Sequence, residues 1–302
     1  MSEHRLTQHP PIAPDHQPTT PTRTVDGAGQ QPADQQRLWD SETARSYDTP
    51  GEGMFAPDVL GPTVEALRDL VDGGRALEFA IGTGRVAIPL RESGVEVVGI
   101  ELSEAMIARL REKAPTTDAK DTNGAKSAKD ARGAPGATGI SVVQGDMTTA
   151  SAGEGFSLVY LVFNTLGNLL SQEEQVACFR NAARHLRPGG CFVIEMYVPQ
   201  LRALTPGHGG VLEVSEPGYL LVDTIDTVTQ QLVSHHVRFD PTVDGPREAR
   251  IGRTPQRYVW PSEMDLMARL AGFEREHRWA DWDRSAFTAE SSSHVSVYRL
   301  GT

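Results

Sequence analysis

The chain has 302 residues, 38% of them hydrophobic, which is enough for a sizeable core. A net charge of −11, from 40 acidic and 29 basic side chains, argues against broad binding to nucleic acid or to an anionic membrane, since both select a basic face. Two cysteines, Cys178 and Cys191, outside any C-x-x-C pattern argue against a disulfide framework or a zinc site, and without a long apolar run or a signal sequence the expected location is the cytoplasm.

Residues 1–36 are rich in Pro, Gln, Thr, Asp and His and show almost no apolar periodicity, which predicts a disordered tail. The folded domain is expected over 37–302, opening with a short helical segment that runs from Arg37-Leu38-Trp39 toward Tyr47. Val64, Leu67, Leu70 and Val71 predict a helix over 57–71, closed by Asp72-Gly73-Gly74. A strand over 75–81 turns through Gly82-Thr83-Gly84 into a helix over 86–93, and a second strand covers 95–101. Ser103 is placed to cap a helix over 104–113. Residues 115–139 hold no aliphatic side chain larger than Ala, which predicts a flexible surface insertion. Strands over 140–144 and 156–163, a helix over 172–186 ending at Arg187-Pro188-Gly189-Gly190, and a strand over 191–197 continue the alternation. That alternation implies a parallel sheet with right-handed crossovers. Beyond Pro199, Val/Leu/Thr-rich runs predict a small antiparallel β insertion over 200–240. A helix over 262–272 and strands over 274–282 and 294–300 close the chain.

Chemistry concentrates at the strand ends. Gly82 and Gly84 let the backbone turn tightly and approach a ligand, and the helix that follows offers unpaired N–H groups and the positive end of its dipole. A nucleotide-like cofactor is the usual occupant of such a turn. Glu101, 19 residues after Gly82, ends the second strand with a carboxylate that can accept two parallel hydrogen bonds. Gly82-x-Gly84-x-x-Ala87 with this acid also fits the dinucleotide fingerprint, so an NAD(P)-dependent oxidoreductase stays open on these residues alone.

The order of parts over about residues 37–300 resembles the class I S-adenosylmethionine-dependent methyltransferases of the small-molecule type. The turn Glu78-Phe79-Ala80-Ile81-Gly82-Thr83-Gly84 stands where that family has acidic-x-Gly-x-Gly-x-Gly. Ala80 replaces the first glycine, which is compatible if φ there stays below zero. The resemblance implies an α/β fold: a Rossmann-like, doubly wound, mostly parallel seven-stranded sheet with an antiparallel last strand, beside the small antiparallel insertion. It implies S-adenosyl-L-methionine as cofactor. Glu78, Ala80, Gly82 and Gly84 would then face its amino-acid part, and Glu101, followed by Leu102, its ribose. Asp146 and Met147 would meet adenine, Phe163 would lie near the methyl-bearing sulfur, and Tyr47 would cover the cofactor. Arg85 is expected to be structural or solvated.

Methyl transfer from a sulfonium is an in-line displacement, so positioning and desolvation carry most of it. A base is needed only for a protonated acceptor, and the candidates of interest are His236 and Glu195. His235 and His236 are consecutive on an expected strand, so only one can face a pocket. The family's nucleic-acid N-methyltransferases often carry an Asn/Asp-Pro-Pro-aromatic turn, whereas Phe163-Asn164-Thr165-Leu166 lacks the prolines. A small-molecule acceptor, with no nucleic acid, membrane or metal involved, is the expectation. A cofactor-binding regulatory protein without catalysis would keep the same recognisable parts and stays open.

Overall fold

A computed structural model describes residues 39–114, 116–118, 139–204, 207, 209–240 and 249–302. The expected tail over 1–36 lies outside the described residues, as does most of the expected 115–139 insertion.

Helix α1 (Ser41–Tyr47) leads through a short turn to α2 (Pro57–Val71). β1 (Arg75–Phe79), α3 (Ala87–Glu92), β2 (Glu96–Glu101) and α4 (Glu104–Lys113) form the first β/α units. The Ser103 hydroxyl caps α4 by accepting from Met106 N–H, as its sequence position predicts. β3 (Thr116–Asp118), β4 (Ile140–Gln144), β5 (Phe156–Leu161), α5 (Gln172–His185) and β6 (Leu186–Tyr197) follow. α5 opens with a reciprocal capping box between Ser171 and Glu174.

The main sheet runs β11-β12-β6-β5-β1-β2-β4-β3, where β11 is Phe273–Trp279 and β12 is Ser293–Leu300. Strands β1 to β6 are parallel, and β12 runs antiparallel to β6. The seven expected strands are all present. The eighth, β3, falls inside the segment read as a flexible insertion and adds three of its residues to the sheet. β4 left a row of N–H and C=O groups unpaired at the sheet edge, and pairing a backbone to that row requires no apolar side chain. A second difference lies at Arg187-Pro188-Gly189-Gly190, read as a break, where the chain passes directly from α5 into β6 with Gly189 at φ 72°.

A second sheet, β10-β9-β8-β7, is inserted between β6 and α6 (Pro261–Leu270). Its strands are β7 (Gly210–Glu216), β8 (Tyr219–Asp226), β9 (Gln231–Phe239) and β10 (Ala249–Arg257), all antiparallel. β10 was not expected: its sequence Ala-Arg-Ile-Gly-Arg-Thr-Pro-Gln-Arg is polar on both faces and contains Pro255, which sits at the sheet edge where no N–H is needed. The sheet is anchored by buried Arg257, which donates to Gln175, Gln230 and Glu263 at 2.6, 3.0 and 2.8 Å.

Strand alternation divides the main core in two. Leu77, Phe79, Phe179, Phe192 and Cys178 pack on the α5/α6 face, and Ala76, Leu158, Leu67, Leu110 and Cys191 pack on the α2/α3/α4 face. Burial drives both thiols up in pKa, Cys191 to about 11. No helix among the described residues is long and apolar enough to cross a membrane.

β1 ends in a constrained turn. Ala80 adopts φ 50°, not the negative value that its side chain favours. Ile81 N–H bonds back to Ile100 O at 3.1 Å, and the reversal this requires falls on residue 80. A non-glycine residue held there costs about 1–2 kcal/mol. Beneath the turn, Glu78 is buried and accepts from Tyr160 OH at 2.8 Å. Burial lifts its carboxyl from 4.5 to about 8, outweighing the Tyr160 hydrogen bond and the Arg85 charge.

Two outcomes follow. Ala80→Gly removes the strain while adding unfolded-state freedom, and is expected to raise stability by about 0.5–1 kcal/mol in urea denaturation; a loss of stability would show that the turn is unstrained. The raised Glu78 pKa means that its contribution is intact below 4.5 and is lost as pH climbs toward about 8. Glu78→Gln cannot ionise, so its stability relative to wild type should improve from about pH 5 to about pH 8, and a pH-independent difference would refute the shift.

Candidate active site

The order of the main sheet reverses at β1, with β2 and β4 on one side and β5 and β6 on the other. Ligands in open α/β sheets bind beyond the carboxyl ends of the strands at such a point. A cleft of two adjoining lobes lies there, sharing Trp39, Ala80, Glu101, Thr165 and Asn168. Their free volumes, ≈ 680 and ≈ 730 Å³ including space open to solvent, fall in the range of small-molecule sites.

Glu101 stands between the lobes. Its Oε2 accepts from Gly82 N–H and its Oε1 from Ser103 N–H, both at 2.8 Å. Burial raises its pKa, and the N–H groups of Ser103, Gly82 and Leu102 oppose that rise. Each carboxylate oxygen has a further lone pair for a ligand hydroxyl. Leu102, Asp146 and Met147 line the first lobe. Asp146 Oδ1 accepts from both the backbone and the hydroxyl of Thr148 at 2.7 Å, an Asx turn that fixes the side chain and leaves Oδ2 for a donor in the cleft. The Asx turn and the expected ligand contact are thus compatible in one side chain.

Tyr47, Gly82 and Phe163 line the second lobe with Tyr197. Tyr47 packs edge-on to Trp39 and Phe55, with centroids 5.8 and 6.1 Å away, which places an aromatic wall over the glycine turn. Gly82 has φ 56° and no atom nearer than 3.9 Å to the position of a Cβ, so its open side faces the cleft.

Phe163 and Asn164 both sit in the left-handed region, at φ 55° and 57°. Consecutive non-glycine residues there persist only when neighbours over-determine them. Glu195 supplies two restraints: its Oε2 accepts from Phe163 N–H at 2.8 Å and its backbone carbonyl from Asn164 N–H at 3.2 Å. Asn164 supplies two more, accepting from Tyr197 N–H at 3.2 Å and donating to Gln256 at 3.0 Å.

Several candidates stand behind the cleft and not in it. Glu78 lies under the turn, satisfied by Tyr160. Gly84 has φ 82°, bonds its N–H to Ile81 O, and faces Leu110, whose Cδ1 lies 2.3 Å from a Cβ position; its glycine serves packing. Glu195 holds the Phe163 turn and also bonds Trp282, the contacts of a strut for the site; burial raises its pKa. His236 lies on β9, one side chain removed from the lining, with Tyr219 OH 2.8 Å from Nδ1 and Thr254 Oγ1 3.4 Å from Nε2.

Other lining residues escaped the sequence reading. Thr254 and Gln256 reach the second lobe from the unexpected β10, and Trp39 reaches both lobes from ahead of α1. The alternation of Thr254 and Gln256 across Pro255 was the available signal. Arg85 is expected to be structural or solvated, and it donates to Met54 O at 3.0 Å. It also lies 5.3 Å over the Phe163 ring, and its charge pulls down the pKa values that burial raises at Tyr47, Glu78, Glu195 and Tyr197.

Residues 76–190 match a family model described as a methyltransferase domain. The cypemycin N-terminal methyltransferase of a Streptomyces species is 25% identical over 271 residues, covering 86% of this chain and 96% of the relative. The structure of CalS10, an amino pentose methyltransferase of Micromonospora echinaspora solved with S-adenosylmethionine bound, shares the fold at TM-score 0.57 and 20% identity, over 84% of this chain and 94% of its own. The CcbJ methyltransferase of Streptomyces caelestis superposes at TM-score 0.68 with 32% identity, over 87% of this chain and 96% of its own. A likeness of that identity, carried across nearly the whole of the CcbJ chain, reaches past a common fold, and this protein belongs to the class I S-adenosylmethionine-dependent methyltransferase family.

Proposed function

We propose that the protein methylates the nitrogen of an amine carried by a small molecule or a short peptide end. The observation that carries this reading is the aromatic wall of the second lobe: Trp39, Tyr47, Phe163 and Tyr197 present rings where a methyl donor and acceptor would meet. Ring faces attract cations such as a sulfonium or an ammonium. Both phenols are neutral near pH 7 in any setting, and desolvation moves the Tyr47 and Tyr197 pKa values further up. The names of two relatives support the reading, one a cypemycin N-terminal methyltransferase and the other an amino pentose methyltransferase.

In this reading Glu101 accepts from ribose hydroxyls, Asp146 Oδ2 from the adenine amino group, and Leu102 and Met147 pack on the base. The Gly82 turn and Arg85 face the amino-acid end. S-adenosylmethionine supplies an electrophilic methyl group on a sulfonium. The chain orients the acceptor nitrogen in line with that methyl, and its aromatic wall excludes water from the reacting atoms.

The test is calorimetric titration with S-adenosylhomocysteine and an NADH control, followed by S-adenosylhomocysteine release with amino sugars, free-N-terminal peptides, their N-acetylated forms and matched alcohols. Binding of S-adenosylhomocysteine alone and turnover confined to free amines are expected. Turnover confined to alcohols, or none in the panel, would overturn the proposal. Glu101→Gln places an NH₂ group against the N–H of Gly82 or Ser103, and is expected to weaken S-adenosylhomocysteine binding by about 1.5–3 kcal/mol. Unchanged affinity would sink the ribose assignment.

A further inference from the structure

One face of the second sheet continues the acceptor side of the cleft. Register places Asp223 opposite Ser234, Ser234 opposite Thr254 and Leu221 opposite His236, so Tyr219, Asp223, Ser234, His236, Thr254 and Gln256 share that face. Thr254 and Gln256 border the cleft itself. A hydroxyl therefore stands between the reaction space and an imidazole.

We infer that Thr254 and His236 form a proton relay that delivers the acceptor amine in its neutral form. The inference rests on the amine reading above. An ammonium has no lone pair and cannot attack a methyl group, and most aliphatic amines are protonated near neutral pH. In the relay, the ammonium gives a proton to Thr254 Oγ1 as the Thr254 hydroxyl proton passes to His236 Nε2. The freed nitrogen lone pair then forms the N–C bond, and the methyl–sulfur bond breaks with its pair left on sulfur as a thioether. One proton has moved to the imidazole, which returns it to solvent afterwards.

The geometry fits each demand. Tyr219 OH lies 2.8 Å from Nδ1, within reach to accept an Nδ1–H, and in that tautomer Nε2 is the acceptor that faces Thr254. The 3.4 Å separation from Thr254 Oγ1 is long, as such contacts are before a substrate is bound. Desolvation, Arg238 and His235 lower the His236 pKa, so the ring is predominantly neutral at pH 7. Arg250 stands opposite Arg238 and adds positive charge to the same face. Asp223 is the opposing group: it favours the imidazolium once formed, and its buried Oδ1 has no hydrogen-bond partner among the described residues. The same carboxylate draws a cationic acceptor toward this face.

The relay is tested with an amine from the panel above, at saturating S-adenosylmethionine, by following kcat/KM against pH. In the wild type the acid limb is expected below the ordinary imidazole value. In His236→Gln and Thr254→Val the limb should move up to the pKa of the amine itself. The rate near pH 7 should fall about 100-fold and recover in alkali. Thr254→Ser should restore the wild-type profile, and S-adenosylhomocysteine affinity should be the same in all three variants. A His236→Gln enzyme with the wild-type rate and profile would overturn the relay and leave the amine reading standing. Failure of the wild type on every amine would instead overturn the amine reading. In that case ¹⁵N-histidine NMR of the S-adenosylhomocysteine complex decides the geometry. The Nδ1–H tautomer, a lowered ring pKa and a shift on Thr254→Val are expected. An Nε2–H tautomer, or a ring indifferent to Thr254→Val, would overturn it.

Discussion

The structure depends on one buried carboxylate. Glu101 ends β2, yet its two oxygens reach Gly82 in the turn after β1 and Ser103 at the cap of α4. One side chain thus ties the turn after β1 and the cap of α4 to the end of β2, each through an N–H that would otherwise need a partner. Its isolated charge would be costly at 6% exposure, and the N–H groups that it satisfies offset that cost. The arrangement resolves a conflict between folding and binding, because the lone pairs that hold the turn leave others free toward the cleft. Pre-organisation of the site is therefore a by-product of the way the first two strands are tied together.

A second restraint joins the two sheets. Phe163 and Asn164, held left-handed by Glu195, connect the end of β5 to Gln256 of the second sheet. The main sheet carries the cofactor half of the cleft and the inserted sheet carries part of the acceptor half. Their meeting point is polar and strained, not apolar and relaxed. Buried Arg257, paired with Glu263 and bonded to Gln175 and Gln230, makes the other attachment in the same polar style.

Much of the fold was legible because its signals are local. The apolar period of α2, the Ser103 cap and the Gly82 turn each appear in a few consecutive residues, and the seven core strands follow from them. Residues whose role comes from contacts remote in sequence were not legible. Glu195 reads as a candidate base because it lies near a strand end, and only the Phe163 and Trp282 donors make it a strut. Ala80 reads as a tolerable exchange for glycine, and only the pull of Ile100 on Ile81 reveals the positive φ. β10 and its cleft residues were hidden because an exposed edge strand needs no apolar alternation. β3 was hidden because backbone pairing leaves no trace in side-chain composition.

The two cysteines have a use that their burial creates. Cys178 belongs to the core on one face of the main sheet and Cys191 to the core on the other, and neither thiol is exposed. A buried, protonated thiol is inert to alkylating reagents until its surroundings open. Each therefore clocks the opening of its own layer. Equal labelling rates would mean that the sheet loses both coverings in one cooperative event, and unequal rates would say which layer of helices peels away first.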